Sequence, residues 1–230
     1  MRIFVTAIAV LFLIGTVPGQ AEDAPRHVSV EGVGRVSAVP DMAVVRLGVQ
    51  REARDAGSAM TAASEAMTVV LEQIESAGIP PEDVQTTRIG LDPRWQHSET
   101  GAPPRITGYV ATNSLSVTIR ELGDLGGLLD AVVADGANTM NGLSFEISET
   151  GSLEDAARVA AVEDARRKAG LLAEAAGAEL GDVISIAEGT QGGGPAPMFE
   201  AALSDRAAVP VAAGQLEIVV TVRAVFGLEG

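Results

Sequence analysis

Apolar and polar residues alternate along much of the chain, which is the period of a strand with one buried face. The pattern is clearest at 109–119, where apolar residues alternate with threonine and serine. At 28–38 it is interrupted by Gly32 and Gly34, which predict a bulge or a close approach of other backbone. The same period predicts further strands at 43–49, 84–91, 143–147, 182–188 and 216–226.

Two stretches between these strands change to the helical period of 3.6 residues. The first begins near Asp55 or Ser58, either of which can cap a helix, and Gly78 with the prolines that follow it ends the pattern. The second is short, covers 122–132, and is ended by Gly136. Both predicted helices are therefore bounded by residues that favour helix ends.

A longer helix is predicted from Ser152 to about Ala176, with Ser152 and Asp155 spaced as a capping box. An acid precedes a base by four positions at 154/158, 163/167 and 164/168, a pattern typical of a solvated helix face. The face predicted to meet the core consists mainly of small residues, namely Leu153, Ala156, Ala160, Ala165, Ala169, Leu172 and Ala176.

The order of these elements predicts the fold class. From 43 to 148 it is strand, helix, strand, strand, helix, strand, which is the ferredoxin-like βαββαβ order. We therefore expect an α+β fold, with an antiparallel or mixed sheet and helices packed on one face. A C-terminal helix and two strands complete the prediction.

Two segments between the predicted elements are interpreted as loops. Residues 92–105 are polar and proline-rich, and they include Trp95, the only tryptophan. Residues 189–214 form a long, flexible loop of glycine, proline and alanine. Inside it, an apolar group predicts a contact with a neighbouring subunit. That group consists of Met198, Phe199 and Leu203.

The N-terminus has the pattern of a secretory signal peptide. Arg2 precedes an apolar run at 3–14, and the small residues Gly19 and Ala21 follow it. A retained membrane anchor is the alternative, but the run is shorter than the roughly 20 residues that span a bilayer. We expect cleavage after Ala21, a single mature domain at 22–230 without a transmembrane segment, and a periplasmic location.

Composition limits the chemistry of this chain. Aromatic residues make up only 3%, so alanine, valine, leucine and isoleucine must fill the core. The absence of cysteine excludes disulfides, thiolate nucleophiles and thiolate metal sites. A formal net charge of -15 disfavours binding to nucleic acid, because such a surface repels the phosphate backbone.

Motifs that carry catalysis are not recognisable. The two histidines, His27 and His97, lack the spacing of a metal site or a catalytic triad. Gly32 and Gly34 begin a dinucleotide-binding pattern, but Ser37 stands where its third glycine is required. The sequence therefore predicts no catalytic residue, no cofactor and no metal.

Asn113 is the one polar residue on the apolar side of its predicted strand. A buried amide is expected to be hydrogen-bonded. Together with Tyr109, Asn113 is predicted either to determine the fold or to line a small-ligand site, since convergent polar groups in apolar surroundings mark such sites.

Several motifs together resemble the SIMPL-domain family, the periplasmic or outer-membrane-associated immunogenic proteins of Gram-negative bacteria. The resemblance covers about 28–226. It implies an envelope location, an α and β fold, homo-oligomers, and a role in envelope maintenance or protection against stress such as oxidative stress, without catalytic residues. The motifs are VEGVGRVSAVPD at 30–41, GYVATN at 108–113 and ARVAAVEDARRKA at 157–169.

Three functions remain open from the sequence. The leading hypothesis is a non-enzymatic, self-assembling periplasmic protein that supports the envelope, with further copies of the chain as partners and a peripheral association with the outer membrane. The second is a small-ligand or peptide-binding module that uses an exposed sheet edge. The third is a hydrolase with a pair of carboxylates.

Overall fold

A computed structural model of the chain describes residues 26–97, 103–189 and 211–230, and the backbone of 196–198. The predicted signal peptide and most of the predicted loop at 189–214 lie outside the described residues. The described part forms two antiparallel sheets with three helices, which confirms the α+β class. Its elements are β1 (His27–Ala38), β2 (Met42–Ala53), α1 (Ala56–Ser76), β3 (Val84–Gln96), β4 (Arg105–Ile119), α2 (Leu125–Ala134), β5 (Thr139–Glu146), α3 (Gly151–Ala175), β6 (Glu179–Glu188), β7 (Ala196–Met198) and β8 (Gln215–Glu229).

The first sheet joins the first and the last strand of the described residues. β8 lies between β1 and β6, and the short β7 also pairs with β8. α3 packs across β1 and β8 but contacts β6 much less. Alternate residues of β8 face α3, as the apolar period predicts, and complete a core with the alanines of that helix. The buried side chains of β8 are Leu216, Ile218, Val220, Val222, Ala224 and Phe226.

The second sheet is built from the middle of the chain, with its strands in the order β3, β4, β2, β5. β4 therefore lies between the two strands that α1 connects. α1 packs on β2 and β4 and contacts β3 little, while α2 lies beside α1. The core between helices and sheet consists of aliphatic side chains, as the low aromatic content requires. The largest of them are Leu47, Ile74, Leu115 and Leu125.

Gly32 and Gly34 mark the close backbone approach that the sequence predicts. A β-carbon on Gly32 would lie 2.0 Å from the carbonyl oxygen of Ala161 in α3. The buried face of α3 differs from the predicted one, because it follows every fourth residue. Residues four positions apart form a row that is inclined to the helix axis. Such a row can stay in contact with a sheet that twists beneath the helix. The buried residues are Ala157, Ala161, Ala165, Ala169 and Ala173.

The start of α3 also differs from the prediction. Thr150 is the N-cap residue, and the helix already begins at Gly151. The proposed capping box of Ser152 and Asp155 is therefore wrong, because both residues lie inside the first turns. The Thr150 hydroxyl instead donates a 2.8 Å hydrogen bond to the carboxylate of Glu154.

The predicted loop at 92–105 is shorter than its polar composition indicates. β3 continues to Gln96 and β4 begins at Arg105, so Trp95 lies in a strand and pairs with Ile106. Proline has no backbone N–H to donate. Pro93 is tolerated because β3 is an edge strand, where one side of the backbone needs no donor for a neighbouring strand. Of the helices in the described residues, none is long and apolar enough to cross a bilayer.

Candidate functional site

Besides the short β5, each sheet has one edge strand that its helix leaves largely uncovered: β3 in the second sheet and β6 in the first. Large apolar side chains are exposed on both strands. Ile89 of β3 is 64% exposed and Trp95 is 52% exposed, and Leu91 and Ile106 are exposed beside them. Proteins usually shorten, charge or cover such edges, because an exposed apolar edge strand invites pairing with another chain.

Ile89 and Leu91 of β3 lie on one face, whereas Trp95, which follows a register shift, pairs with Ile106 on the other. Leu91 pairs with the fully buried Ala111, and opposite residues of an antiparallel pair share a face. β2 ends at Ala53, opposite Tyr109 of β4. The hairpin formed by β3 and β4 therefore continues beyond the end of β2. We call residues 88–96 and 105–109 the arm.

The arm is a positively charged part of an acidic chain. Residues 84–109 contain three arginines against Asp92 and Glu99, while the whole chain has a formal charge of -15. Arg94 forms an ion pair with Glu52 of β2. Arg88 and Arg105 have no ion-pair partner within the described residues. Within the described residues, two guanidinium groups of the arm are therefore not paired with a carboxylate.

β6 has the opposite character. It contains three acids and no base, and its Ile184 is 55% exposed, with Val183 and Ile186 exposed on either side. Glu188 is paired with Arg158 of α3, at 3.1 Å between Oε2 and Nε. Glu179 and Asp182 have no ion-pair partner in the described ranges. Within the described residues, the strand is therefore an apolar edge with two carboxylates that form no ion pair.

The edge of β1 is closed by α3. Asp164 Oδ2 accepts a 3.0 Å hydrogen bond from the Val33 N–H, and Lys168 Nζ donates a 2.9 Å hydrogen bond to the Glu31 carbonyl. The predicted Asp164–Lys168 pair is present at 2.7 Å, and Arg167 binds Asp164 rather than Glu163. Lys168, the Val33 N–H and Arg167 hold the pKa of Asp164 well below its usual range. The prediction of a merely solvated helix face is therefore wrong here.

The two residues predicted for a ligand site lie on the same side of β4. Asn113 and Tyr109 are separated by the buried Ala111, and a strand rises about 3.3 Å per residue, so they are roughly 13 Å apart. Tyr109 packs against the core of the second sheet. The Asn113 side-chain oxygen is buried and accepts no hydrogen bond from the described residues, against the expectation that it is paired.

The apolar group predicted for a subunit contact lies largely outside the described residues. The backbone of Met198 belongs to β7 and pairs with Gln215 of β8. Phe199 and Leu203 lie outside the described residues. Subunit contact by this group stays a prediction.

A cleft that sequence reasoning did not find lies between the C-terminal end of α1, the end of β4 and the start of α2. It has a volume of about 230 Å³, and its apolar lining includes Ile79, Ile119 and Leu128. Its charged lining consists of Asp83, Arg120, Glu121 and Asp124. Both oxygens of Asp83 accept 2.8 Å hydrogen bonds from the Arg120 guanidinium. Only the tertiary fold brings these two residues together, because 37 positions separate them.

The carboxylate of Asp83, which is bound to Arg120, does not suit the proton-donating acid of a hydrolytic pair. The guanidinium of Arg120 lowers the pKa of Asp83, so this group stays ionised at neutral pH. A carboxylate-pair hydrolase needs one acid whose pKa is raised, so that it can donate a proton. In the part of the chain that the structure describes, no group of three or more histidine and acidic residues is placed to hold a metal ion.

Comparison with known proteins identifies the family of this chain. The model of the SIMPL family, a protein of unknown function (DUF541), matches residues 28–226. The chain is 37% identical over 220 residues to the 26 kDa periplasmic immunogenic protein of Brucella melitensis, which covers 91% of this chain and 88% of that protein. It is 29% identical over 211 residues to the uncharacterized protein YggE of Escherichia coli K12, which covers 91% and 85% respectively. These matches confirm the resemblance read from the motifs: the chain belongs to the SIMPL family.

Proposed function

We propose that this protein is a non-catalytic periplasmic protein that acts as an assembly of several copies. One observation carries the proposal: both sheets end in an edge strand with uncovered apolar side chains, Ile89 and Leu91 on β3 and Val183 and Ile186 on β6. Stable protein interfaces bury about 1,200–2,000 Å² in total, which strands of ten and thirteen residues can supply together with their neighbours.

The periplasmic location rests on two independent supports. The N-terminal residues have the pattern of a cleavable signal peptide, with cleavage proposed after Ala21. The relative from Brucella melitensis is named a periplasmic protein. Within the envelope, we propose a maintenance role that includes protection under oxidative stress, with a peripheral association with the outer membrane.

The first experiment is to export the full chain in a Gram-negative host, determine its N-terminal sequence, and measure its mass by light scattering after size exclusion. We expect a first residue of Glu22 and a mass several times that of one chain. The same measurement on a variant lacking 189–214 tests the predicted contact of Met198, Phe199 and Leu203. A single-chain mass for the full chain would contradict the proposal.

A second candidate function is small-ligand binding, and the cleft beside Asp83 and Arg120 favours it. At about 230 Å³ it exceeds the roughly 150 Å³ of an engineered cavity that holds benzene, and its walls are mostly apolar. A fragment screen by NMR tests this function, with Leu128→Trp as the variant that fills the cleft. Fragments that bind both forms equally would argue against the cleft as a site.

A further inference from the structure

We propose that the cleft between α1, β4 and α2 binds a small organic cation, namely a protonated amine on a compact apolar body. This inference rests on small-ligand binding, the second candidate function, and names the chemical class of the ligand. The apolar body packs against Ile79, Ile119 and Leu128, and the ammonium group binds the carboxylates of Glu121 and Asp124.

The lining of the cleft divides into an apolar interior and an acidic rim. Ile119 and Leu128 are only 5% and 8% exposed, whereas Glu121 and Asp124 are exposed residues. Ligand sites commonly combine apolar walls with a few polar groups that fix the orientation of the ligand. A molecule with one apolar end and one charged end therefore matches this cleft.

The two rim carboxylates have no other partner that would compete with a ligand. Neither Glu121 nor Asp124 forms an ion pair within the described residues. Asp124 is the N-cap residue of α2, where an aspartate side chain usually accepts a hydrogen bond from the helix backbone. Its side chain makes no such bond. Both carboxylates can therefore bind an ammonium group without breaking a contact that the structure describes.

Arg120 does not reverse the sign of the charge in the cleft. Among the lining residues it is one base against three acids, and its guanidinium is held by Asp83 through two 2.8 Å hydrogen bonds. The pKa of Arg120 is raised chiefly by Asp83 and further by Glu82 and Asp41, which shows that more carboxylates lie nearby. A cleft lined mainly by one sign of charge concentrates ligands of the opposite sign.

The C-terminal end of α1 favours the same sign of ligand. Ala77 and Gly78, which follow the last turn of this helix, line the cleft. The carbonyl groups at a helix C-terminus carry partial negative charge, which a cation near the last turn stabilises. The last turn of α1 contains no basic residue. A bound ammonium group can take that place.

The volume of the cleft limits the size of the ligand. A cavity of roughly 150 Å³ holds benzene, so about 230 Å³ accommodates a ring with a short substituent. A metal ion is the other cation that an acidic cleft could attract. Within the described ranges, however, no three acidic or histidine side chains are placed to hold one. The expected ligand is therefore a compact amine.

Three probes of nearly equal size and different charge test this inference: benzylammonium, benzyl alcohol and benzoate. Saturation-transfer NMR on the exported mature protein gives their dissociation constants at low salt, and this method suits large assemblies. Benzylammonium should bind roughly five times more tightly than benzyl alcohol, because an exposed ion pair is worth up to about that factor. Benzoate should bind most weakly. Salt at about 1 M should remove the preference, since it screens charges beyond roughly 3 Å.

A rim variant that carries Glu121→Gln and Asp124→Asn changes the charge of the cleft and keeps its shape. It should lose the preference for benzylammonium and bind benzyl alcohol like the wild type. The control carries Glu65→Gln and Asp182→Asn, the same loss of charge at exposed positions outside the cleft. It should bind all three probes like the wild type. Thermal melts check that both variants are folded.

Filling the cleft separates failure of this inference from failure of ligand binding itself. Leu128→Trp should weaken the binding of every probe, and Thr118→Trp on the half-buried wall replaces it if the first variant unfolds. Equal affinities for the three probes in the wild type, or a rim variant that keeps its preference, would overturn selection of a cation while the cleft remains a ligand site. Absence of binding, or equal binding to the filled variant, would overturn both.

Discussion

A β-carbon placed on Gly34 would lie 1.9 Å from the carbonyl oxygen of Ala157, so α3 and β1 touch through their backbones at this point. The same helix meets Gly32 one turn later, through Ala161. Side chains are excluded from this contact, which explains both the two glycines and the alanine row of α3. β1 and α3 are held together there, although more than 120 positions separate the contacting residues along the chain.

Replacing Gly34 with alanine should destabilise the fold strongly. The added methyl group meets backbone that cannot rotate away, and overpacking typically costs about 1–3 kcal/mol and occasionally more, so we expect the upper end of that range. Urea unfolding measures the effect. Gly127→Ala is the matched control, because Gly127 lies in α2 with open space around it and alanine favours helix there by about 0.5–1 kcal/mol. Equal unfolding midpoints for both variants would show that the contact is not tight.

Asp164→Ala should open the free edge of β1. The substitution removes the acceptor of the Val33 N–H together with the partner of Lys168 and Arg167. Amide hydrogen exchange at Val33 should accelerate, since that N–H then has no acceptor. Glu163→Ala removes the same charge from the neighbouring position of α3 and should leave exchange at Val33 unchanged. Identical exchange in both variants would contradict closure of the edge by Asp164.

Stability should fall as the solution becomes acidic. The Ser148 hydroxyl and N–H donate hydrogen bonds to Asp41 at 2.6 and 2.8 Å, and they hold the pKa of Asp41 below its ordinary value of 3.8. A lowered pKa contributes stability that is present above the unfolded pKa and is lost as pH falls through the folded pKa. Urea midpoints should therefore decrease between pH 7 and pH 3.

Ser148→Ala should reduce that dependence, because it removes the hydroxyl donor to Asp41 and keeps only the backbone donor. Ser152→Ala, at an exposed position in α3, serves as the control and should keep the wild-type dependence. A Ser148→Ala protein with the same loss of stability between pH 7 and pH 3 as the wild type would exclude this cause.

Asn113→Leu should stabilise the protein. The substitution keeps a similar shape and removes a buried side-chain oxygen that has no hydrogen-bond partner in the described residues, which typically costs about 1–3 kcal/mol. Asn138→Leu is the contrasting variant, because Asn138 exchanges two hydrogen bonds of 2.8 and 3.0 Å with the backbone of Gln50. It should lower the free energy of unfolding, as urea denaturation would show. Destabilisation by Asn113→Leu would mean that the amide is needed for the fold.

Local patterns predicted most elements well because their causes are local. The alternation at 109–119 and the helical period that begins near Asp55 depend on which side of each element is buried, and both agree with the observed β4 and α1. Errors arose where distant residues decide. β3 extends to Gln96 because β4 pairs with it, although Pro93 and the polar residues around it indicate a loop.

The candidate surfaces were only partly predictable for the same reason. The apolar residues of 84–91 and 182–188 are typical of strands. No local pattern indicates that the helices would cover the adjacent strands and leave these side chains exposed. The pairing of Asp83 with Arg120 likewise depends on the path of the chain between them. The exposure of a side chain depends on how the whole molecule packs, so the apolar period of a single strand does not predict it.

The sequence by itself determined the α+β class, the membership of the SIMPL family and the positions of nearly every strand and helix. The class and the element positions follow because burial of one face imposes a period of two or 3.6 residues, and the family follows from the motifs. Only the tertiary structure decided that the strands divide into two sheets, that Gly32 and Gly34 admit α3, and that β3 and β6 are left as open edges. These outcomes depend on long-range packing and pairing, since each joins residues far apart in sequence whose contacts no local pattern specifies.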